Sequence, residues 1–168
     1  MSQTHESLRL EIVALLPRLR RFGRAIARQR EDADDLVQLA VERALGRLDQ
    51  WQPGTRIDSW MFTIMKNAWT DEIRARVRRD QIFLPEEAGE QVGEALDERH
   101  HKRMDVHTAM RELNDDQRLA VGLVLVEGLA YKEAAEVLGI PIGTLTSRIA
   151  RARESLQARL SETPRSAA

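Results

Sequence analysis

Hydroxyl and guanidinium side chains gather at Thr144, Thr146, Ser147, Arg148 and Arg151, inside the stretch 131–153 that reads YKEAAEVLGIPIGTLTSRIARAR. Groups of these types hydrogen-bond phosphates and base edges, and an arginine can grip guanine with two parallel bonds. A second basic set, Arg74, Arg76, Arg78 and Arg79, places four arginines within six residues. Positive charge suits a helix C-terminus, yet capping alone does not call for four. Acids and an amide form a third set at Asp32, Asp34, Asp35 and Gln38. Catalysis or metal binding would fall to the four histidines, because the chain has no cysteine. Of these, His100, His101 and His107 stand beside an acidic stretch with no matching carboxylate-and-glycine motif. They read as a solvated helix face, so no enzyme, cofactor or metal is expected.

Charge is divided unevenly behind a formal net of -1. Residues 1–80 hold 15 Lys+Arg against 12 Asp+Glu, residues 81–116 hold 4 against 10, and residues 117–168 hold 7 against 5. Two mildly basic blocks thus flank an acidic connector, and only the blocks could meet nucleic acid without repulsion. Across 168 residues, 42% are hydrophobic but only 4% aromatic, which favours two small helical domains over one large core. The chain has neither a signal-peptide pattern nor an apolar run long enough to span a bilayer, so a cytoplasmic protein without membrane insertion is expected.

The elements that must position these groups read as helices. Leu8, Ile12, Leu15, Leu19, Phe22 and Ile26 recur at steps of three or four, with Pro17 expected to kink or split the segment. Asp32 is expected to cap a second helix whose face includes Leu36, Ala40, Val41, Ala44, Leu45 and Leu48. After a loop around Trp51, Pro53 and Gly54, a third helix from Asp58 or Ser59 to Arg79 would bury Met61, Ile64, Met65, Ala68 and Ile73, with Trp60 and Trp69 partly buried. Residues 81–98, with Pro85, Gly89, Gly93 and many acids, read as a flexible linker. A fresh helical series then begins near Arg99, followed by a helix capped by Asn114 and stopped by Gly128. The expectation is an all-α chain: a domain at 1–80, a linker at 81–98, and a domain at 99–168 that ends in a helix-turn-helix.

That last motif rests on local chemistry. Ala135 is small where a second helix must cross the first closely, and Gly139 suits the left-handed corner. Val137, Leu138, Ile140, Leu145 and Ile149 would form the packed seam, leaving the hydroxyls and arginines for a DNA groove. An ordinary helical hairpin with a solvated polar face has the same local pattern.

Leu113 through Gly128, with Tyr131, Glu133, Ala134, Leu138, Gly139, Gly143, Thr144, Ser147, Arg148 and the run 151–153, closely resembles region four of the extracytoplasmic-function sigma factors. Independently, the run DADDLVQ at 32–38 resembles the polymerase-binding helix of region two, and SWMFTIMKN at 59–67 its promoter-melting helix. Order and spacing both agree. The resemblance implies a factor that directs core RNA polymerase to promoter DNA under the control of an anti-sigma factor.

Residue by residue, it implies that Asp34, Asp35 and Gln38 contact polymerase. It also implies that the loop 51–58, with Trp51 and Gln52, receives a flipped base of the minus-ten element. Lys66 and Asn67 would line the path, and Arg74, Arg76 and Arg78 would meet phosphates. Thr144, Thr146, Ser147, Arg148 and Arg151 would contact the minus-thirty-five element. The chain departs from the family pattern at Leu39, usually polar, at Asp58, often basic, at Thr146, commonly Lys or Arg, and at Ala150, often larger. Two other readings stay open: a sigma-like decoy that binds an anti-sigma protein, which would normally carry a receiver domain, and a stand-alone helix-turn-helix repressor.

Overall fold

The computed structural model describes residues 2–82 and 106–162, and every described element is helical. In chain order these are α1 (Ser2–Ile26), α2 (Arg30–Leu45), a single 3-10 turn (Leu48–Gln50), α3 (Ile57–Ile82), α4 (106–112), α5 (Asp115–Val121), α6 (Tyr131–Leu138) and α7 (Ile142–Glu162). Most of the expected linker, together with His100 and His101, lies outside the described residues.

Three boundaries differ from the sequence expectations, each for a local reason. Helix α1 is not split at Pro17. Pro17 and Val13 are both exposed, so water can take the Val13 carbonyl that the proline leaves without a helical donor. Helix α2 begins at Arg30 with Gln29 as its N-cap, and no side chain caps it. Asp32 sits inside the first turn and pairs with Arg76 of α3 at 2.8 Å, so a contact across helices takes the place of the expected cap. Helix α3 continues to Ile82, past the expected domain end at residue 80.

Leu8, Ile12, Leu19, Phe22 and Ile26 on α1 are buried with Leu36, Val37 and Ala40 on α2 and Met61, Phe62 and Met65 on α3. Gly23 permits the close crossing of α1 and α2: a Cβ there would lie 3.2 Å from the Ala33 carbonyl oxygen. The Phe22 and Phe62 rings meet edge to face with centroids 5.1 Å apart, an arrangement that favours the pair beyond its area alone.

Helix α5 opens on a reciprocal cap. The Asn114 side chain accepts from the Gln117 N–H at 2.8 Å, and the Gln117 side chain accepts from the Asn114 N–H at 3.3 Å. Its end widens into a π turn over Gly122–Val126, where the Glu127 N–H reaches back five residues to the Gly122 carbonyl. Gly128, at φ 71°, then turns the chain away as expected. One extra residue in a turn rotates the next stretch of chain by about 100°. Here that widening directs Glu127 against α1.

A single apolar cluster runs through both halves, from Leu8 and Phe62 to Leu123, Ala134 and Leu145. The two small domains read from the sequence are therefore packed on each other, with the π turn against α1 and α6 against α3.

Candidate nucleic-acid and polymerase interfaces

Helices α6 and α7 make the expected helix-turn-helix. Gly139 adopts the left-handed conformation at φ 65° and the Ile140 N–H bonds the Ala135 carbonyl at 3.1 Å, which closes the corner. Pro141 precedes α7 and its carbonyl accepts from the Leu145 N–H. Leu145, Ile149 and Ala152 are buried and fix the rotation of α7. That rotation leaves Thr144, Ser147 and Arg151 exposed in a row at helical spacing, with Arg148 half-buried beside them. The Arg148 guanidinium lies 3.4 Å from the Asp116 carboxylate. Thr146 is exposed but sits about 200° round the helix from Thr144, off that row. Its hydroxyl donates to the Ile142 carbonyl, and that of Ser147 to the Gly143 carbonyl, so both oxygens remain acceptors.

In the other half, the loop between the 3-10 turn and α3 is pinned by its own bonds. The Thr55 N–H and hydroxyl both donate to the Gln52 carbonyl, and Gly54 takes φ 88°. Asp58 lies in the first turn of α3 and is buried. Its carboxylate accepts from Arg18 at 3.0 Å, from Arg56 at 2.6 Å and from the Ser59 N–H at 2.8 Å. Burial alone would push its carboxyl up, but the bonds from Arg56, Arg18 and Ser59 outweigh that and hold it below the ordinary carboxylate value. The departure at Asp58 from a commonly basic residue thus ties the loop into the fold.

Beside this loop lies an open cleft of about 440 Å³, lined by Gln52, Thr55, Arg56 and Trp60 on one side and by Glu133 and Glu136 of α6 on the other. Trp51 and Trp60 are half-buried, whereas Trp69 is fully buried, more so than the partial burial expected from the sequence. Lys66 is half-buried and Asn67 exposed farther along α3.

The arginine set divides. Arg74 and Arg78 are exposed. Arg76 is held within the fold, bonding Asp32 at 2.8 Å and Glu72 at 2.9 Å and lying over the Trp69 ring at 5.7 Å. Its bond is the main cause holding the Glu72 carboxyl below its ordinary value. On α2, Asp34, Asp35 and Gln38 are exposed together, and the Gln38 amide bonds Glu42. Leu39 is 37% exposed beside Asp35, at a small groove reaching Trp69.

Sequence reasoning missed an ionic cluster between the halves. The Glu127 side chain is wholly buried and accepts from Arg18 at 3.0 Å and from Arg21 at 2.8 Å. The Arg18 guanidinium also lies over the Phe62 ring. Arg56 bonds Glu133 as well as Asp58. Two signals were available: an acid, Glu127, closing the otherwise apolar run 119–126, and Gly122 inside that run, where a glycine usually has a packing reason. Among the described residues, no group of His, Asp or Glu could hold a metal ion, and no helix is long and apolar enough to cross a membrane.

Comparison with known proteins matches both halves. Residues 12–66 match the family described as the Sigma2 domain of PhyR, and residues 103–156 match Sigma-70, region 4. The ECF RNA polymerase sigma factor EcfG of Rhodopseudomonas palustris is 36% identical over 155 residues, covering 92% of this chain and 86% of that protein. The solved structure of the sigma factor RpoE in complex with the anti-sigma factor NepR from Bartonella quintana is similar at a TM-score of 0.78 and 31% identity, covering 95% of this chain and 99% of that one. CnrH, solved with the cytosolic domain of CnrY, shares the fold at a TM-score of 0.69 and 22% identity, over 97% of this chain and 96% of that one.

Proposed function

The chain belongs to the extracytoplasmic-function RNA polymerase sigma factors of the sigma-70 family, and from that membership we propose how its residues divide the work of initiation. It directs core RNA polymerase to specific promoters under anti-sigma control. Asp34, Asp35 and Gln38 form the face of α2 that docks on polymerase. The loop carrying Trp51 and Gln52 receives an extruded base of the minus-ten element, an act that needs a pocket and a basic approach. The Gln52, Thr55 and Trp60 side of the cleft supplies the pocket; Lys66, Asn67, Arg74 and Arg78 supply the approach. Arg76, expected there too, is committed to Asp32 and Glu72, so its part is to brace α3 for its neighbours.

The row Thr144, Ser147, Arg148 and Arg151 reads the minus-thirty-five element from the major groove, with Thr146 at the flank of the contact. Region two spans about 1–80 and region four about 99–168, joined by 81–98. The protein carries no chemistry of its own; polymerase performs it, in the bacterial cytoplasm. The observation that carries this reading is the exposed row on α7, held in place by a buried seam within a helix-turn-helix.

Promoter-selective transcription in vitro on fragments of the source genome, with core polymerase, tests it. Initiation at discrete sites only when both proteins are present is expected, and the start sites give both promoter elements. A folded chain that fails to bind core polymerase would return the decoy and repressor readings. An anti-sigma partner is expected to co-purify; repeated recovery of polymerase with no inhibitor would count against one.

A further inference from the structure

Helix α1 carries two apolar faces, and the fold uses one of them. Leu8, Ile12, Leu19, Phe22 and Ile26 are buried in the core. At about 100° per residue, Leu10, Val13, Ala14 and Pro17 fall on the side about 180° away, in a row at steps of three and four. All four are exposed, Leu10 at 64% and Val13 at 59%. Single exposed apolar side chains are ordinary on a protein surface, but a continuous stripe of them marks a place of contact. Region four covers only the C-terminal part of α1, where Arg18 and Arg21 hold Glu127 and a Cβ on Gly122 would lie 2.9 Å from the Phe22 ring. The stripe ahead of it stays bare.

Charge at the two ends of the stripe says what fits on it. On the N-terminal side stands Glu6, whose ion pair with Arg9 at 3.5 Å is exposed and therefore weak. On the C-terminal side stand Arg20 and Arg24, both exposed and in no ion pair among the described residues. The order acid, apolar stripe, base is self-complementary when a second α1 is laid along the first in the opposite direction. Position 6 then faces position 20, and Val13 lies beside the two-fold axis. Leu10 meets Pro17 of the other copy, Val13 and Ala14 meet their own counterparts, and each Glu6 meets an Arg20. A two-fold contact requires a patch of this kind, and most soluble homo-oligomers close in that way. The Val13 carbonyl, left without a helical donor by Pro17, sits at the margin of the stripe, where water still reaches it.

We infer that this face of α1 is a homodimer interface: two copies of the chain pair antiparallel through Leu10, Val13, Ala14 and Pro17, with Glu6 and Arg20 of opposite copies fixing the direction. The two ionic ends lie about 21 Å apart on each helix, so both pairs form in water at the rim, where they set orientation more than strength. One helix against one helix buries less than a stable dimer needs, so the association is weak, with a dissociation constant on the order of tens of micromolar.

Sedimentation equilibrium of the full chain, from about 2 to 200 µM so as to bracket that constant, tests the inference. A reversible monomer–dimer equilibrium is expected, and a chain that stays monomeric throughout overturns it. Leu10→Glu places two charges in the apolar centre and should weaken the dimer by at least about tenfold. Glu6→Arg and Arg20→Glu should each weaken it about threefold, and the two changes together should restore it, because opposite charges face each other again. All of these side chains are exposed, so melting followed by circular dichroism should hold in each variant. A dimer indifferent to Leu10→Glu lies on another surface and overturns the inference, and a double variant that stays weak overturns the antiparallel pairing.

The absence of native cysteine gives an independent reading. Under mild oxidation, Val13→Cys should join two copies at least about tenfold faster than Glu154→Cys, an exposed site on α7, because pairing raises the local thiol concentration at the axis. Equal rates at the two sites overturn the inference.

Discussion

Arg148 and Arg76 show how side chains of one type come to different uses. Arg148 rests near an exposed carboxylate at 3.4 Å, a pairing that holds it weakly and leaves it free to turn to a base. Arg148→Ala should therefore lower promoter affinity by about 1 to 3 kcal/mol, read by titrating holoenzyme on promoter DNA; unchanged affinity would remove it from base reading. Arg74→Ala and Arg78→Ala should weaken DNA binding and flatten its salt dependence with little change in melting temperature. Arg76→Ala should lower the melting temperature instead, because it leaves Asp32 and Glu72 without their shared partner. Acid should act on the same groups. Asp58 and Glu72 are held below their ordinary values when folded, so their stabilisation is complete above about pH 5 and is lost as the pH falls through the depressed values. Melting temperature should fall as the pH drops below about 5, and Glu72→Gln should make that decline shallower. The exposed row of hydroxyls and arginines on α7 was legible in the sequence because residue type and spacing carry it. The division among the arginines was not, since it depends on Asp32 arriving from another helix.

The elements themselves were largely legible, and their exceptions have local causes. The helix-turn-helix stems from glycine chemistry and a three-to-four residue spacing, both properties of adjacent residues. Gly139→Ala should cost about 1 to 2 kcal/mol, the penalty of a side chain in the left-handed region, measurable by urea denaturation. Asn114→Ala, which removes one arm of a reciprocal cap, should cost about 1 kcal/mol by the same measurement. Pro17 suggested a break that exposure to water makes unnecessary. The π turn at Gly122–Val126 escaped notice because a search for one fixed period cannot register a single inserted residue. Its effect is large for its size, since Glu127 reaches Arg18 and Arg21 only through the phase it shifts.

Over the whole molecule, the sequence showed two basic blocks and an acidic connector but not that the blocks pack together. The Arg18–Glu127 contact spans 109 positions of chain, far beyond any periodicity or capping signal. Gly122→Val should drive the halves apart, raising the radius of gyration in small-angle scattering while helical content by circular dichroism holds. An unchanged radius would mean that Phe22 yields instead. The contact between Gly122 and Phe22 also bears on inheritance. A surface where even a methyl group would force Phe22 to shift couples the histories of the two halves. A hybrid whose second half came from a relative with a larger residue at this position would have to repack Phe22 and Ile26 or part its halves, so the two must be inherited, or engineered, as a matched pair.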